Sequence, residues 1–153
     1  MTYKTILVHL HDPARADRLL DVAVPLARAT NAHLEALCII PPFVVLPAMD
    51  GGGASITVDE HRDAYRPDMD KLKARFQEAT RDLSLPSEWR EADAGFGTVG
   101  DVLVDIGRCA DLIVVSQANS EWLNSSIMED PVRTVMGSGR PVLIIPNQGQ
   151  AAC

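Results

Sequence analysis

The sequence predicts an α/β fold in which helices cover both faces of a five-stranded parallel sheet. Strand-like and helix-like patterns alternate along the 153 residues, as they do in chains built from βα units. Most of the strand patterns are apolar on both faces, which indicates parallel strands buried between helices. Right-handed crossovers between such strands give a three-layer, doubly wound sheet. We therefore predict one domain at residues 1–147 and a flexible C-terminal tail at residues 148–153.

Each strand is predicted from a short run of strand-forming residues that a turn signal or a proline ends. The third run is polar at alternate positions, as an edge strand can be. The fourth run is apolar at its four central positions, 112–115, and predicts a buried strand. The predicted strands are Thr5–Leu10, Ala32–Ile40, Ser87–Ala94, Asp111–Ser116 and Pro141–Ile145.

Four helices are predicted from apolar residues that recur at three- and four-residue steps. Pro25 inside the first pattern predicts a kink or a missing hydrogen bond, and Pro67 predicts a break or restart near the start of the second. Asn31 suits a C-terminal cap for the first helix. The connection at 41–56 is long, and loops of that length tend to be functional or disordered. The predicted helices are Ala14–Thr30, Thr57–Leu83, Thr98–Arg108 and Ser126–Met136.

Charge and cysteine content argue against several classes of partner and compartment. The net charge of −7 argues against nucleic acid or an anionic membrane as the main partner. No apolar run approaches the roughly 18 residues of a membrane helix, and the first residues lack the features of a signal peptide. Cys38 and Cys109 suit core positions, and an odd number of cysteines without a spacing motif suits a reducing compartment. The sequence therefore predicts a cytoplasmic protein.

Three segments resemble strands of the universal stress protein family in their order and spacing. They are Tyr3–Val8, Ala110–Val115 and Arg140–Pro146, which resemble the first, fourth and fifth strands of that family. The resemblance covers nearly the whole chain. It implies a Rossmann-like sheet of the adenine nucleotide alpha hydrolase type with strand order 3-2-1-4-5, and a role as a stress-response module.

The implied strand order reverses between the first and fourth strands, and parallel sheets bind ligands at the carboxyl ends of strands beside such a reversal. The crevice should therefore be lined by residues 9–12 and 116–119. We detect no combination of nucleophile and base in the sequence, so we name no catalytic residue and predict a protein that is not an enzyme. The candidate binding residues are His9, His11, Asp12, Ile39, Ser116, Gln117 and Asn119.

The ATP-binding branch of the family carries a Gly-x2-Gly-x9-Gly-Ser/Thr motif after its fourth strand, and this sequence does not match it. Counted from the strand, the first two glycine positions hold Ser116 and Asn119, and the final pair holds Glu129-Asp130. Counted back from the fifth strand, the final pair moves by one residue to Met128-Glu129. A carboxylate ~4 Å from a phosphate costs up to about 4 kcal/mol at an effective dielectric near 20.

We therefore expect no cofactor and no tight ATP binding, and we expect the protein to act through protein partners that the sequence does not identify. The alternative is a regulatory switch that binds ATP or AMP through a divergent phosphate loop. The family's acidic residue after the first strand is also unmatched, because His11 aligns with it and Asp12 stands one place later.

Two further motifs have both a functional and a structural interpretation. Gly95–Gly100 matches the dinucleotide pattern G-x-G-x-x-G, but it lies in the third βα turn and lacks the acid expected about 20 residues later. We assign its glycines to turn and helix-entry geometry. His9, His11 and Asp12 could contribute to a metal site, but no further ligand completes the set, so we predict no metal.

Trp122 is expected to pack within the monomer, to plug the crevice or to rest on a partner.

The fifth strand predicts a homodimer, because the implied order makes it a sheet edge with unpaired backbone groups. It carries no charge, whereas charged residues protect the third strand at the opposite edge. A two-fold axis would set two fifth strands antiparallel, and the dimers of the family are similar. Two alternatives are a loop or tail that covers the edge, and a dimer that uses helix faces. The predicted interface residues are Val142, Leu143, Ile144 and Ile145.

Overall fold

The computed structural model describes residues 2–43, 57–119 and 130–148. Most of the predicted 41–56 loop and 148–153 tail lies outside the described residues, as do Trp122 and the first residues of the predicted fourth helix. The strands are β1 (Thr5–His9), β2 (His33–Ile40), β3 (Ser87–Asp93), β4 (Leu112–Ser116) and β5 (Val142–Ile145). The helices are α1 (Ala16–Thr30), α2 (Val58–Thr80), α3 (Val99–Gly107) and α4 (Pro131–Ser138).

The sheet has the order β3-β2-β1-β4-β5, and every neighbouring pair of strands is parallel. β1 lies at the centre, where Val8 pairs with Ala36 of β2 on one side and with Val114 of β4 on the other. The predicted fold class and strand order are confirmed. The order reverses between β1 and β4, and sheets of this type bind ligands at the carboxyl ends of strands beside such a reversal.

The core has two layers because alternate residues of the central strand point to opposite faces of the sheet. Ile6 and Val8 pack on the side of α1 and α2, whereas Leu7 packs on the side of α3, and all three are fully buried. α4 lies beside α3, where Gly137 meets Val104. Helices α1 and α2 therefore cover one face of the sheet, and α3 and α4 cover the other.

Both internal prolines lie in helices that continue through them. α1 runs past Pro25 and ends at Asn31 in the left-handed conformation (φ 55°), so the predicted cap is confirmed. The predicted break at Pro67 is wrong, because α2 is continuous through this residue. Pro67 is exposed, so water can hydrogen-bond the Asp63 carbonyl that the proline leaves without its helical donor.

α2 is long but strongly polar. Thr57 and Glu60 form a capping box at its start, in which each side chain accepts a hydrogen bond from the backbone N–H of the other residue. The buried residues along its 23 positions are Met69, Leu72, Phe76 and Thr80. No described helix is both long and apolar enough to cross a bilayer.

The two described cysteines have different surroundings. Cys38 is buried in β2, as predicted, and burial raises the pKa of its thiol to about 12. The predicted core position of Cys109 is wrong, because this residue is exposed. α3 ends at Gly107, and Cys109 falls in the turn that follows.

β5 is an edge of the sheet, as the predicted dimer requires. Ile144 is 41% exposed, and Val142 and Leu143 are partly exposed. Ile145, which is also a predicted interface residue, is not exposed as an interface residue would be. It is 5% exposed and packs in the core, and its carbonyl accepts a hydrogen bond from the backbone N–H of Gln117. Both its side chain and its carbonyl are therefore used within the monomer.

Candidate functional site

The carboxyl end of β1 carries two buried histidines. His9 is the last residue of the strand, and His11 follows two residues later; the two residues are 3% and 8% exposed. Their rings stack with centroids 5.1 Å apart and an interplanar angle of 24°. Two stacked, buried imidazoles therefore lie at the carboxyl end of β1, where the sequence predicts the crevice.

Arg15 lies beside this pair, at the residue that precedes α1. Its Nε donates to Oδ2 of Asp12 (2.9 Å), and its Nη2 donates to Nε2 of His11 (2.9 Å). Asp12 is itself held, because its Oδ1 accepts the backbone N–H of Ala14 (2.8 Å). The ion pair is largely buried, with side-chain exposures of 14% and 12%. Charge-assisted hydrogen bonds of this kind are roughly twice as strong as neutral ones.

The same guanidinium reaches the ends of two further strands. Its Nη1 donates to the carbonyl of Gln117 after β4 (3.2 Å) and to Oδ1 of Asn147 after β5 (2.9 Å). Asn147 in turn donates its backbone N–H to Oε1 of Gln117 (3.3 Å). The carboxyl ends of β1, β4 and β5 are thus joined into one hydrogen-bonded unit. We call this unit the Arg15 cluster, which comprises His11, Asp12, Arg15, Gln117 and Asn147.

Both histidines are neutral at pH 7. Burial and the Arg15 charge lower the pKa of His11 from 6.5 to about 4, although Asp12 acts in the opposite direction. Burial lowers the pKa of His9 well below its ordinary value, and His11 and Arg15 act in the same direction. Because a guanidinium only donates, Nε2 of His11 accepts and the ring proton lies on Nδ1. Within the described residues, Nε2 of His9 is buried without a hydrogen-bond partner.

The other predicted crevice residues take different positions. Ser116 is the last residue of β4 and is 5% exposed. Ile39 is 3% exposed and belongs to the apolar layer beneath α3. Asn119 is the last described residue before the 120–129 segment. The predicted residues that the structure groups around Arg15 are His9, His11, Asp12 and Gln117.

Arg15 and Asn147 are site residues that reasoning from sequence missed. A local signal existed for one contact, since Asp12 and Arg15 have the i,i+3 spacing of an ion pair at the start of a helix. No local signal connects Arg15 with Gln117 or Asn147, which lie 102 and 132 residues away. These contacts depend on the strand order, which brings the ends of β1, β4 and β5 together.

The amino end of α4 is the second part of the candidate site, because the final pair of the family's phosphate motif aligns there. Oδ1 of Asp130 accepts the backbone N–H of Arg133 (2.8 Å), so the helix is capped by its own carboxylate. Helix N-termini bind phosphate through these same N–H groups. A phosphate would have to displace the Asp130 carboxylate and then lie beside its negative charge. Met128 and Glu129 lie outside the described residues.

Arg133, in the first turn of α4, is already paired within the monomer. Its Nε donates to Oδ1 of Asp101 in α3 (2.9 Å), and hydrogen bonds from Arg133 and Thr98 lower the pKa of that carboxyl. Gly100 permits this close approach of the two helices, because a Cβ at Gly100 would lie 2.9 Å from Cγ of Arg133. The guanidinium at this helix end therefore interacts with a carboxylate of the protein itself.

The glycines of the Gly95–Gly100 motif have structural roles in the described residues. Gly95 adopts φ 57°, and the backbone N–H of Gly97 donates to the carbonyl of Ala94 (2.8 Å), so these glycines form the turn before α3. Gly100 serves the contact between α3 and α4. Within residues 2–43, 57–119 and 130–148, no group of three or more His, Cys, Asp or Glu side chains has an arrangement that could hold a metal.

Comparisons with known proteins identify the fold. No family model and no curated protein matches the sequence. A protein of the universal stress protein family from Burkholderia pseudomallei matches with 26% identity and a TM-score of 0.59, over 94% of this chain and 96% of that one. The universal stress protein UspA from Lactobacillus plantarum matches with 20% identity and a TM-score of 0.66, over 95% and 99%.

Some of the matching structures hold nucleotides. A universal stress protein in complex with cAMP is 21% identical, with a TM-score of 0.63, over 97% of this chain and 100% of that one. Further matches are complexes of an Archaeoglobus fulgidus universal stress protein with dAMP and of an Arabidopsis thaliana family protein with AMP. The five-stranded topology and these likenesses agree, and the chain has the universal stress protein fold.

Proposed function

We propose that this chain is a stress-response module of the universal stress protein type, which acts through protein contacts and does not bind ATP tightly. The universal stress protein fold supports the assignment of the chain to this class of stress-response module. The observation that carries the exclusion of ATP is the amino end of α4, where the Asp130 carboxylate accepts the N–H that a phosphate would need. The sequence between β4 and α4 also lacks the glycines that let backbone amides approach phosphates.

The Arg15 cluster supports the same proposal from the crevice side. Two arginines carry positive charge at these strand ends, and one of them, Arg18, donates to the carbonyl of Pro146 after β5 (2.9 Å). The donors of the other, Arg15, are directed at Asp12, His11, Gln117 and Asn147. A triphosphate would have to compete with an internal carboxylate for this guanidinium. The crevice therefore provides neutral imidazoles and an already paired cation rather than a phosphate cradle.

Equilibrium binding of labelled ATP with magnesium tests this proposal. We expect no micromolar affinity for the parent protein. The informative variant is Asp130→Ser, because serine also caps a helix but removes the negative charge. It should bind ATP several-fold more tightly than the parent. Micromolar affinity of the parent protein, or ATP retained through purification, would refute the proposal.

A second candidate function is a switch for a nucleoside monophosphate, and one observation favours it. Nε2 of His9 is buried at the crevice without a partner among the described residues, so it could bond a ligand. The likeness to proteins bound to cAMP, dAMP and AMP is compatible with such a ligand. This candidate predicts micromolar binding of AMP or cAMP that His9→Phe abolishes, because phenylalanine fills a similar volume without the nitrogen.

We also propose that the module is a homodimer joined through β5. The strand is an edge of the sheet, and the exposed side chain of Ile144 lies on it. Backbone groups at an unpaired edge favour pairing with another strand, and a two-fold axis lets two identical strands satisfy each other. Val142→Lys and Ile144→Lys should shift the protein toward monomers in sedimentation experiments. Dimers of unchanged affinity in both variants would exclude this interface.

A further inference from the structure

The hydrogen bond between Arg15 and His11 is compatible with only one protonation state of the histidine. A guanidinium has donors and no acceptor, so Nε2 of His11 must lack a proton in order to accept from Nη2 of Arg15 (2.9 Å). A proton on Nε2 would point two donors at each other and would place a second positive charge beside the guanidinium. This hydrogen bond and the charged form of His11 therefore exclude each other.

The groups around His11 provide one negative charge, and that charge is already paired. Among the described residues, the charges that act on His11 are Arg15, which opposes protonation, and Asp12, which favours it. Oδ2 of Asp12 accepts from Nε of Arg15 (2.9 Å), and His9, which stacks on His11, brings no negative charge. The residues that face Arg15 from the ends of β4 and β5 do not titrate: Gln117 and Asn147.

The long-range contacts of Arg15 lie where water can replace them. Its Nη1 donates to the carbonyl of Gln117 (3.2 Å), which is exposed, and to Oδ1 of Asn147 (2.9 Å), which is half-buried. Arg18 makes a further contact with the same segment, at the carbonyl of Pro146 (2.9 Å), and this bond is exposed as well. The central residues of β1 and β4, by contrast, are fully buried. Loss of the Arg15 contacts should therefore separate the strand ends without disturbing the core.

We propose that the Arg15 cluster opens when His11 takes up a proton, so that the ends of β4 and β5 separate from the end of β1. The charged imidazole and the guanidinium are then hydrated apart from each other. Opening uncovers the carboxyl ends of β1 and β4, where sheets of this type bind ligands. Acid is thus the signal that this region of the fold detects. The proposal depends neither on the ATP prediction nor on the β5 dimer, because it concerns contacts within one chain.

The pH range of the opening follows from the difference in the pKa of His11 between the two forms. This pKa is about 4 in the closed cluster, and a hydrated imidazole has an ordinary pKa near 6.5. The closed form therefore has its full advantage above about pH 6.5 and loses it as the pH falls toward 4. The ratio of open to closed molecules should rise by about 30-fold between pH 7.5 and pH 5.

Hydrogen exchange at two backbone amides of β4 tests the proposal. The N–H of Gln117 donates to the carbonyl of Ile145 (2.8 Å) at the carboxyl ends of β4 and β5, and the N–H of Ile113 donates to the carbonyl of Pro141 (3.0 Å) at the other end of the same two strands. Protection factors correct for the pH dependence of the exchange chemistry. That of Gln117 should fall by up to about 30-fold between pH 7.5 and pH 5, whereas that of Ile113 should not change. No fall at Gln117, or equal falls at both amides, would overturn the proposal.

Two variants assign the effect to Arg15 and His11. His11→Gln keeps an acceptor for Arg15 but does not titrate, so Gln117 should stay protected at both pH values. Arg15→Gln lacks the guanidinium that joins the strand ends, so Gln117 should exchange faster already at pH 7.5 and respond little to acid. His33→Gln is the matched control and should behave as the parent does, because His33 begins β2 at the opposite end of the sheet.

Two outcomes with these variants would contradict the mechanism. A Gln117 amide that still responds to acid in His11→Gln would exclude His11 as the sensor, and full protection in Arg15→Gln would exclude Arg15 as the link. If either variant fails to fold, the comparison of Gln117 with Ile113 in the parent protein still decides between local opening, global unfolding and no response.

Discussion

At the scale of single residues, the buried histidines make stability depend on pH. The pKa of His11 is about 4 in the folded protein and about 6.5 in an unfolded chain, so unfolding takes up a proton between these values. The stabilisation from the neutral ring is complete above about pH 6.5 and falls as the pH drops toward 4. His11 alone should lower the free energy of unfolding by about 2 kcal/mol at pH 5.

Urea unfolding of the parent protein and of His11→Gln, at neutral and at mildly acid pH, measures this effect. Glutamine keeps an acceptor for Arg15 but does not titrate, so the variant should lose less stability on acidification. His33→Gln is the control, because His33 begins β2 at the opposite end of the sheet. Equal acid sensitivity in the parent and in His11→Gln would contradict the assignment.

Arg15 should contribute more to stability than a surface arginine does. Arg15→Ala removes a buried ion pair and the links to β4 and β5, and should cost about 2–3 kcal/mol in the free energy of unfolding. Arg75→Ala is the matched control, because Arg75 of α2 pairs with Asp17 of α1 at the surface, where such pairs contribute at most about 1 kcal/mol. Equal losses in chemical denaturation would mean that the Arg15 cluster has no special role.

At the scale of elements, local pattern was sufficient for the strands and insufficient for one helix. Each predicted strand differs from the observed one by a single residue at one end, because apolar runs and turn residues are local signals. The predicted break at Pro67 is wrong because this position is exposed, so water can bond the carbonyl that the proline frees and the helix continues at a cost in stability. That condition depends on which side of α2 faces the core, and the core forms only after the sheet assembles.

Pro67→Ala should therefore stabilise the protein. Alanine restores the hydrogen bond to the carbonyl of Asp63 and removes the poor helix propensity of proline, for a gain of about 1–3 kcal/mol in the free energy of unfolding. Pro131→Ala is the control, because Pro131 is the first residue of α4, where proline is well tolerated. Thermal unfolding of both variants checks this, and a loss of stability in Pro67→Ala would contradict the explanation.

At the scale of the whole molecule, the fold could be predicted, but the hydrogen bonds that join the ends of β1, β4 and β5 could not. Alternation of strands and helices predicts a parallel sheet, and the resemblance supplied the strand order and hence the place where it reverses. His9, His11 and Asp12 follow from that place. Arg15 and Asn147 do not, because a hydrogen bond between residues 132 positions apart leaves no pattern in either neighbourhood.

Native mass spectrometry of the protein as purified from the cell tests the central claim most directly, since it reports the assembly and any retained nucleotide together. We predict the mass of two chains with no added nucleotide, and the same mass after addition of ATP and magnesium at micromolar concentration. A species heavier by one ATP per chain, whether retained from the cell or formed on addition, would contradict the account.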